Sequence, residues 1–414
     1  MQASEETIPS GPSVARLTLV DSLRGLAVLG IVLINIGFYA WPKARQWYSF
    51  QPEFALDIDL WADLIVRILV KGKFYIIFSF LFGLGMAMQR ERFQFKSGSF
   101  SWFFLKRMFW LMAIGAFHGF AIWHGDILLI YGSVGVLLLL FQGLKTRGLL
   151  VAAVLILSAH LAYVYLPFVI KDFPTRNDPV VIAKELEAQT SAAEGAKANY
   201  DQVLKIYTEE DWLGVAKRRA GEYTNFLSAV SYWAAELLAA FLFGAMAWHT
   251  RIFQEPQARL KAIKTAALIG FTLGLPLNIW VYATLFYHPI GFDLSLAFFL
   301  AGPAKFIMAM GYITGFIWLW QTGRARSLWE RLIPVGKMAL SNYVLQSVVF
   351  TLIFNGYGLG LMGQVGETTA IAMATAFFLV QVLWSHWWLK RYRFGPLEWL
   401  WRSITYLRLQ PMRR

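Results

Sequence analysis

Ten apolar stretches recur along the chain: Leu19 to Tyr39, Phe74 to Met88, Phe103 to Trp123, Ile127 to Gly143, Leu149 to Ile170, Phe226 to Trp248, Ala262 to Phe286, Leu294 to Trp320, Met338 to Leu359 and Thr368 to Trp388. Most approach or exceed the ~20 residues that cross a hydrocarbon layer as a helix. The pattern predicts an all-α, polytopic membrane bundle of about ten transmembrane helices. The second stretch is short at its apolar core, so the amphipathic run from Trp61 to Lys73 is expected to lie along the interface before it. One long polar segment, Lys171 to Asn225, interrupts the series, and its Ala, Glu and Lys content from Val181 to Asp201 predicts an exposed helix. The implied organisation is a tail over 1–18, helices 1–5 over 19–170, a helical extracytoplasmic loop over 171–225, helices 6–10 over 226–389 and a basic tail over 390–414.

Composition sharpens this picture. Of 414 residues 57% are hydrophobic and 15% charged, against ~25% charged in soluble domains, so much of the surface must face lipid. The absence of cysteine excludes disulfides, thiolate nucleophiles, Fe–S clusters and c-type haem. The formal net charge is +13, and its placement decides what it means. Basic residues fill alternate connections: Arg90, Arg92, Lys96, Lys106 and Arg107; Lys145 and Arg147; Arg251, Arg259, Lys261 and Lys264; Arg324, Arg326, Arg331 and Lys337; then the tail from Lys390 to Arg414. The connections around His124, His288 and Gln364 have no Lys or Arg. The positive-inside rule makes the first set cytoplasmic, with both termini inside. The charge then reports topology and attraction to anionic lipid rather than to nucleic acid.

Two connections depart from this alternation. Lys43 and Arg45 fall on an outer turn, and the long polar segment carries eight basic and ten acidic residues; such long loops translocate largely regardless of charge. The polar first 17 residues show no cleavage pattern, which makes helix 1 an expected uncleaved signal anchor. Phe80-Leu81-Phe82-Gly83 echoes Phe241-Leu242-Phe243-Gly244, a hint of duplicated helical units.

Polar groups within spans mark a functional site or its support. Asp21 and Arg24 are three apart on helix 1 and can pair on one face. Asn35, eleven residues beyond Arg24, returns to nearly the same azimuth about 16 Å away; alternatively these residues anchor the helix start and bond a neighbouring helix. Glu236 and Lys305 must pair, shift their pKa values or line water, and an ion pair is the favoured reading. Asn342 and Gln346 lie one turn apart on helix 9, and the run Gly356 to Gly360 loosens that helix near its end. Arg24, Asn35, Asn342 and Gln346 are expected to line one cavity. In Trp123-His124-Gly125-Asp126 a carboxylate beside an imidazole suits general-base work, while Asp126 is equally a good N-cap. The histidines show no metal-ligand spacing, and no Walker loop, GxSxG elbow or zinc motif is present.

Five segments together resemble the YeiB-like family of bacterial polytopic membrane proteins, a domain of unknown function. They are Asp21 to Gly25 with Gly30 and Asn35, Phe78 to Gly83, Gly125 to Leu128 with Tyr131, Gly336 to Tyr343 with Gln346, and Phe394 to Arg402. At superfamily level the chain resembles transmembrane acyltransferases that include heparan-alpha-glucosaminide N-acetyltransferase, through Asp-x-x-Arg-Gly and the Asn of helix 1. That resemblance implies acyl-CoA entering from the cytoplasm and an acceptor from the other side. Those enzymes have a candidate catalytic His soon after the Asn; here Ile36 to Phe54 has none, and His124 stands in by position and chemistry.

The leading expectation is therefore an acyl-CoA-dependent O- or N-acyltransferase without metal, acting on an extracytoplasmic glycan or envelope acceptor. Asn35, His124 and Asp126 are its catalytic candidates, and Arg24, Asp21, Asn342, Gln346 and Lys305 its acyl-CoA-binding ones. Membrane lipids are expected neighbours, nucleic acid is not, and a homodimer stays open. The alternative is a secondary transporter or flippase, supported by the echo, by Glu236 and Lys305, and by the break at Pro303. A purely structural partner in a membrane complex is the third.

Overall fold

The computed structural model describes residues 18–43, 45, 56–93, 98–287 and 291–414. The expected tail before helix 1, Lys96 and His288 fall outside them. Every apolar stretch within the described residues is helical, and the structure has no strand among them beyond one isolated bridge between Tyr392 and Arg413.

The bundle opens with α1 (Thr18–Ala40), the amphipathic α2 (Asp57–Leu69), α3 (Lys73–Phe93), α4 (Phe100–Phe117) and α5 (Leu128–Val136). Then come α6 (Thr146–His160), which a wide π turn carries into α7 (Leu166–Asp172), and α8 (Pro179–Glu209) and α9 (Trp212–Ser228). The second half holds α10 (Ala234–His249), α11 (Leu260–Tyr287), α12 (Gly291–Gln321), α13 (Arg326–Arg331), α14 (Ile333–Lys337), α15 (Ala339–Phe354), α16 (Glu367–Arg391) and α17 (Pro396–Tyr406). By length and composition six described helices can cross a membrane, or eight if each of two bent pairs is one span. The bent pairs are α9 with α10 at 63° and α13–α14 with α15 at 80°. The ten stretches read from sequence comprise these eight together with α3, whose last turns hold Gln89, Arg90 and Glu91, and the short apolar helix Leu128–Phe141. The protein is thus a multi-pass helical membrane bundle.

The sequence echo has a physical counterpart. A Cβ on Gly83 would collide with the Phe241 carbonyl, and one on Gly244 with the Phe80 carbonyl. Each repeat glycine therefore receives the backbone of the other repeat, so α3 and α10 cross at the closest approach that small residues permit. Phe82 stacks on Phe241 at 4.7 Å beside this crossing.

The polar segment is helical, as its composition predicts: α8 is capped by Asp178 and α9 by Asp211, each accepting from a backbone N–H in the first turn. It is less of a solvated cap than its charge implies. Tyr200, Val203, Tyr207, Val215, Arg219 and Tyr223 are buried, and Gly356 N donates to Tyr207 O at 2.7 Å, tying α8 to the end of α15.

Candidate functional site

Three of the five motif segments meet at one end of the bundle. Gly336 of α14 lies on the carbonyl of Asp21, and Gly25 of α1 on that of Leu332; a side chain on either would collide. The Ser22 hydroxyl donates to Trp329 O at 2.5 Å. Glu398 of α17 accepts from Leu340 N at 2.7 Å, Ser341 N at 3.2 Å and Ser341 Oγ at 2.5 Å, capping α15 just after its 80° bend. Ser341 Oγ accepts from Leu397 N at 3.0 Å, so each helix caps the other. Burial pushes the Glu398 carboxyl above the usual carboxylate range, partly offset by these donors.

Behind this junction a cavity of about 390 Å³ runs between α1, α3, α4, α5 and α15. Five cations line it: Arg24, Arg92, Arg107, Lys337 and Arg402. Arg24 Nη1 pairs with Asp21 Oδ1 at 3.0 Å, as the three-residue spacing predicts. Arg107 stacks on Trp401 at 3.6 Å, and Arg402 Nε is buried without a hydrogen-bond partner. The walls include apolar side chains of Phe78, Leu81, Phe82, Met86, Phe104 and Met108, together with Ile127, Leu128, Tyr131, Tyr343 and Gln346.

Beside these last residues lies the dyad, and it is not the expected one. His124 does not pair with Asp126. Asp126 Oδ1 instead meets His118 Nδ1 at 2.8 Å, while Oδ2 accepts from Leu129 N at 2.9 Å and Tyr223 OH at 3.2 Å. Asp126 thus serves both as cap of α5 and as partner of an imidazole. The backbone explains the exchange: α4 ends in a π turn over His118–Ile122, and Trp123 is extended at φ −155°, ψ 128°. The chain reverses there, which returns position 126 to the level of 118 and turns it away from 124. His118 and Asp126 are 1% and 0% exposed, and His118 Nε2 has no partner. The His118 ring lies 5.1 Å from that of Tyr343, a cavity wall.

His124 is displaced to a second, smaller pocket, 3.3 Å from Glu222 Oε2. Burial in this turn holds its imidazole below the ordinary value, with Glu222 acting the other way.

The four-residue convergence is half met. Arg24 and Gln346 line the cavity, whereas Asn35 and Asn342 do not. Asn342 is turned to packing instead, its amide nitrogen donating to Val335 O at 3.3 Å and Ser385 Oγ at 3.0 Å while its Oδ1 is buried without a partner. Gln346 donates to Gln381 at 2.8 Å. Lys305 is also outside the cavity; it pairs with Glu236 at 2.8 Å, and Tyr75 OH donates to the same carboxylate at 2.5 Å. His118, Tyr343, Arg107 and Arg402 were missed as site residues. The sequence signal was faint: His118 and Asp126 are eight apart and joined only by a turn whose width composition does not encode. Among the described residues no three His, Asp or Glu side chains group as metal ligands.

The protein is a multi-pass helical membrane bundle whose cavity has five cations and an apolar wall in its lining, with a buried His–Asp pair beside it. Residues 247–408 match the family model described as "Protein of unknown function (DUF418)". The chain is 31% identical over 411 residues to "Uncharacterized protein YxaH" of Bacillus subtilis (strain 168), covering 96% of each. It is 27% identical over 405 residues to "Uncharacterized protein YeiB" of Escherichia coli (strain K12), covering 94% of this chain and 96% of that one. A third relative, the "Uncharacterized 39.9 kDa protein in amylase 3'region" of Bacillus acidopullulyticus, is 26% identical over 400 residues and 96% of both chains. The chain belongs to the YeiB-like DUF418 family. No solved structure matches it.

Proposed function

We propose that the protein is an integral-membrane acyltransferase that draws an acyl group from a coenzyme A thioester at the basic mouth and passes it to a hydroxyl or amine acceptor. The observation that carries this reading is one cavity that joins five cations to a wall beside the His118–Asp126 pair. Arg24, Arg107 and Arg402 offer guanidinium forks that match phosphate oxygens bidentately, and the apolar shaft suits an extended pantetheine arm. Asp126 holds the His118 tautomer so that Nε2 is free to accept a proton. As the acceptor oxygen or nitrogen bonds to the thioester carbon, His118 takes its proton. When the C–S bond breaks, the same proton passes to the departing sulfur, releasing free coenzyme A thiol. The Tyr343 hydroxyl, which donates over a long 3.4 Å to Gly125 O, is a wall donor suited to the developing oxyanion.

In this reading the mouth faces the cytoplasm of a bacterial cell and both termini lie inside, supported by the basic residues of alternate connections. A reporter fused at Gly195 should then read outside and one at the C terminus inside. Isothermal titration of the purified protein with acetyl-CoA, followed by transfer of labelled acetyl to acceptor, tests the chemistry. Binding is expected. Absence of thioester binding, together with substrate-dependent flux in proteoliposomes, would replace this reading by the transporter one.

A further inference from the structure

The far end of the bundle holds a second hollow, built by the end of α1, the α4–α5 turn, α8, α9 and α15. Trp41, Trp123, His124, Tyr207, Arg219 and Glu222 line it. Its interior of about 20 Å³ holds one water-sized group and no more. Trp41 and Trp123 are 0% and 4% exposed, yet the indole Nε1 of each donates to nothing. Indole N–H groups that are buried normally find an acceptor. Here two such residues, on separate elements, line the same hollow.

Two donors demand an oxygen acceptor. The hollow also offers the carboxylate of Glu222, which accepts from Tyr207 OH at 2.7 Å and Arg218 Nε at 2.9 Å, lies 3.3 Å from His124 Nδ1, and retains acceptor capacity for one more donor. A hydroxyl meets both needs, since it accepts from the indoles and donates to the carboxylate. A phosphate or carboxylate group would accept from the indoles but has no proton to donate to Glu222. Lys43 and Arg219 also line the hollow, and Arg219 already donates to Ala121 O and Tyr357 OH. We propose that this pocket is a hydroxyl-binding subsite that seats one –OH of an uncharged polyol, a sugar or a glycerol headgroup, with the rest of the ligand outside the rim. The Trp123 ring lies 6.4 Å from that of His118, so the seated group is one indole away from the dyad. That ligand would be the acyl acceptor of the proposed transfer, and this role alone rests on the acyl-transfer reading.

The test is isothermal titration of the intact protein with methyl glucoside and, separately, glycerol, repeated on Trp41→Phe and Trp123→Phe. Phenylalanine keeps an aromatic wall and removes the donor. Polyol binding by the unmodified protein, weakened ~10-fold by either variant as loss of one hydrogen bond implies, supports the subsite; preference between the two probes separates sugar from glycerol headgroup. No polyol binding at 0.1 M, or binding that both variants leave unchanged, overturns it and leaves the hollow to a water molecule. Melting curves of each variant show whether the bundle is intact, and Glu222→Gln, which keeps the shape, gives a third arm with the same expected loss. Acetyl-CoA titrated into the same samples keeps the two ideas apart. Thioester binding without polyol binding sinks only the subsite, and the converse sinks only the acyltransferase reading.

Discussion

Two polar centres sit inside this apolar bundle, and they are closed to different degrees. At Glu236 and Lys305 the accounts balance: the carboxylate takes Lys305 on both oxygens and Tyr75 OH, and the ammonium also donates to Tyr75. At His118 and Asp126 the carboxylate holds three partners, but His118 Nε2 is left buried and bare beside a cavity wall. An ionisable residue in a membrane helix is thus a weak pointer to chemistry by itself. The stronger pointer is an unspent valence next to space.

The contrast can be broken most severely at the closed centre. Glu236→Leu strands Lys305 among apolar side chains and should cost ~3–5 kcal/mol of stability, whereas Glu236→Leu with Lys305→Met should recover most of it. Thermal unfolding in detergent measures both. Equal loss in the single and double variants would show that packing, not the charge pair, matters there. At the open centre His118→Ala takes one partner from the buried Asp126 and should cost ~1–3 kcal/mol of stability, while slowing acyl transfer by the folded protein ~100-fold or more. Transfer at the original rate would remove the dyad from the mechanism.

Smaller effects sharpen the same comparison. Arg24→Lys keeps the charge but loses the fork, and should weaken acetyl-CoA binding by about tenfold, read by titration. His124→Gln should alter the pH dependence of stability. Because the folded imidazole is held below its ordinary ~6.5, the unfolded chain takes the proton first as pH falls. Stability is therefore lost on acidification below about 6.5, and His124→Gln should flatten that part of the curve.

The fold was largely legible because apolar length and charged connections are one-dimensional properties. Asp21 with Arg24 could be read for the same reason, since helix geometry fixes a three-residue pair. Glu236 with Lys305 could be read because neither charge is tolerable alone. The dyad could not. Sequence nearness favoured His124, and only the π turn at 118–122 with an extended Trp123 hands Asp126 to His118. Asn342 misled for the opposite reason: a buried amide signals a need for partners, and Ser385, 43 residues away, supplies one.

The reciprocal caps between Ser341 and Glu398 bear on biogenesis. Phe394, Glu398, Trp401 and Arg402 are walls of the cavity, and a ribosome delivers them after every other wall. During synthesis the bundle can insert and pack its glycine crossing while the bend before α15 still lacks its carboxylate cap. The cavity is therefore walled only once residue 402 has been made, and a chain released before residue 394 would be membrane-inserted yet short of these four walls.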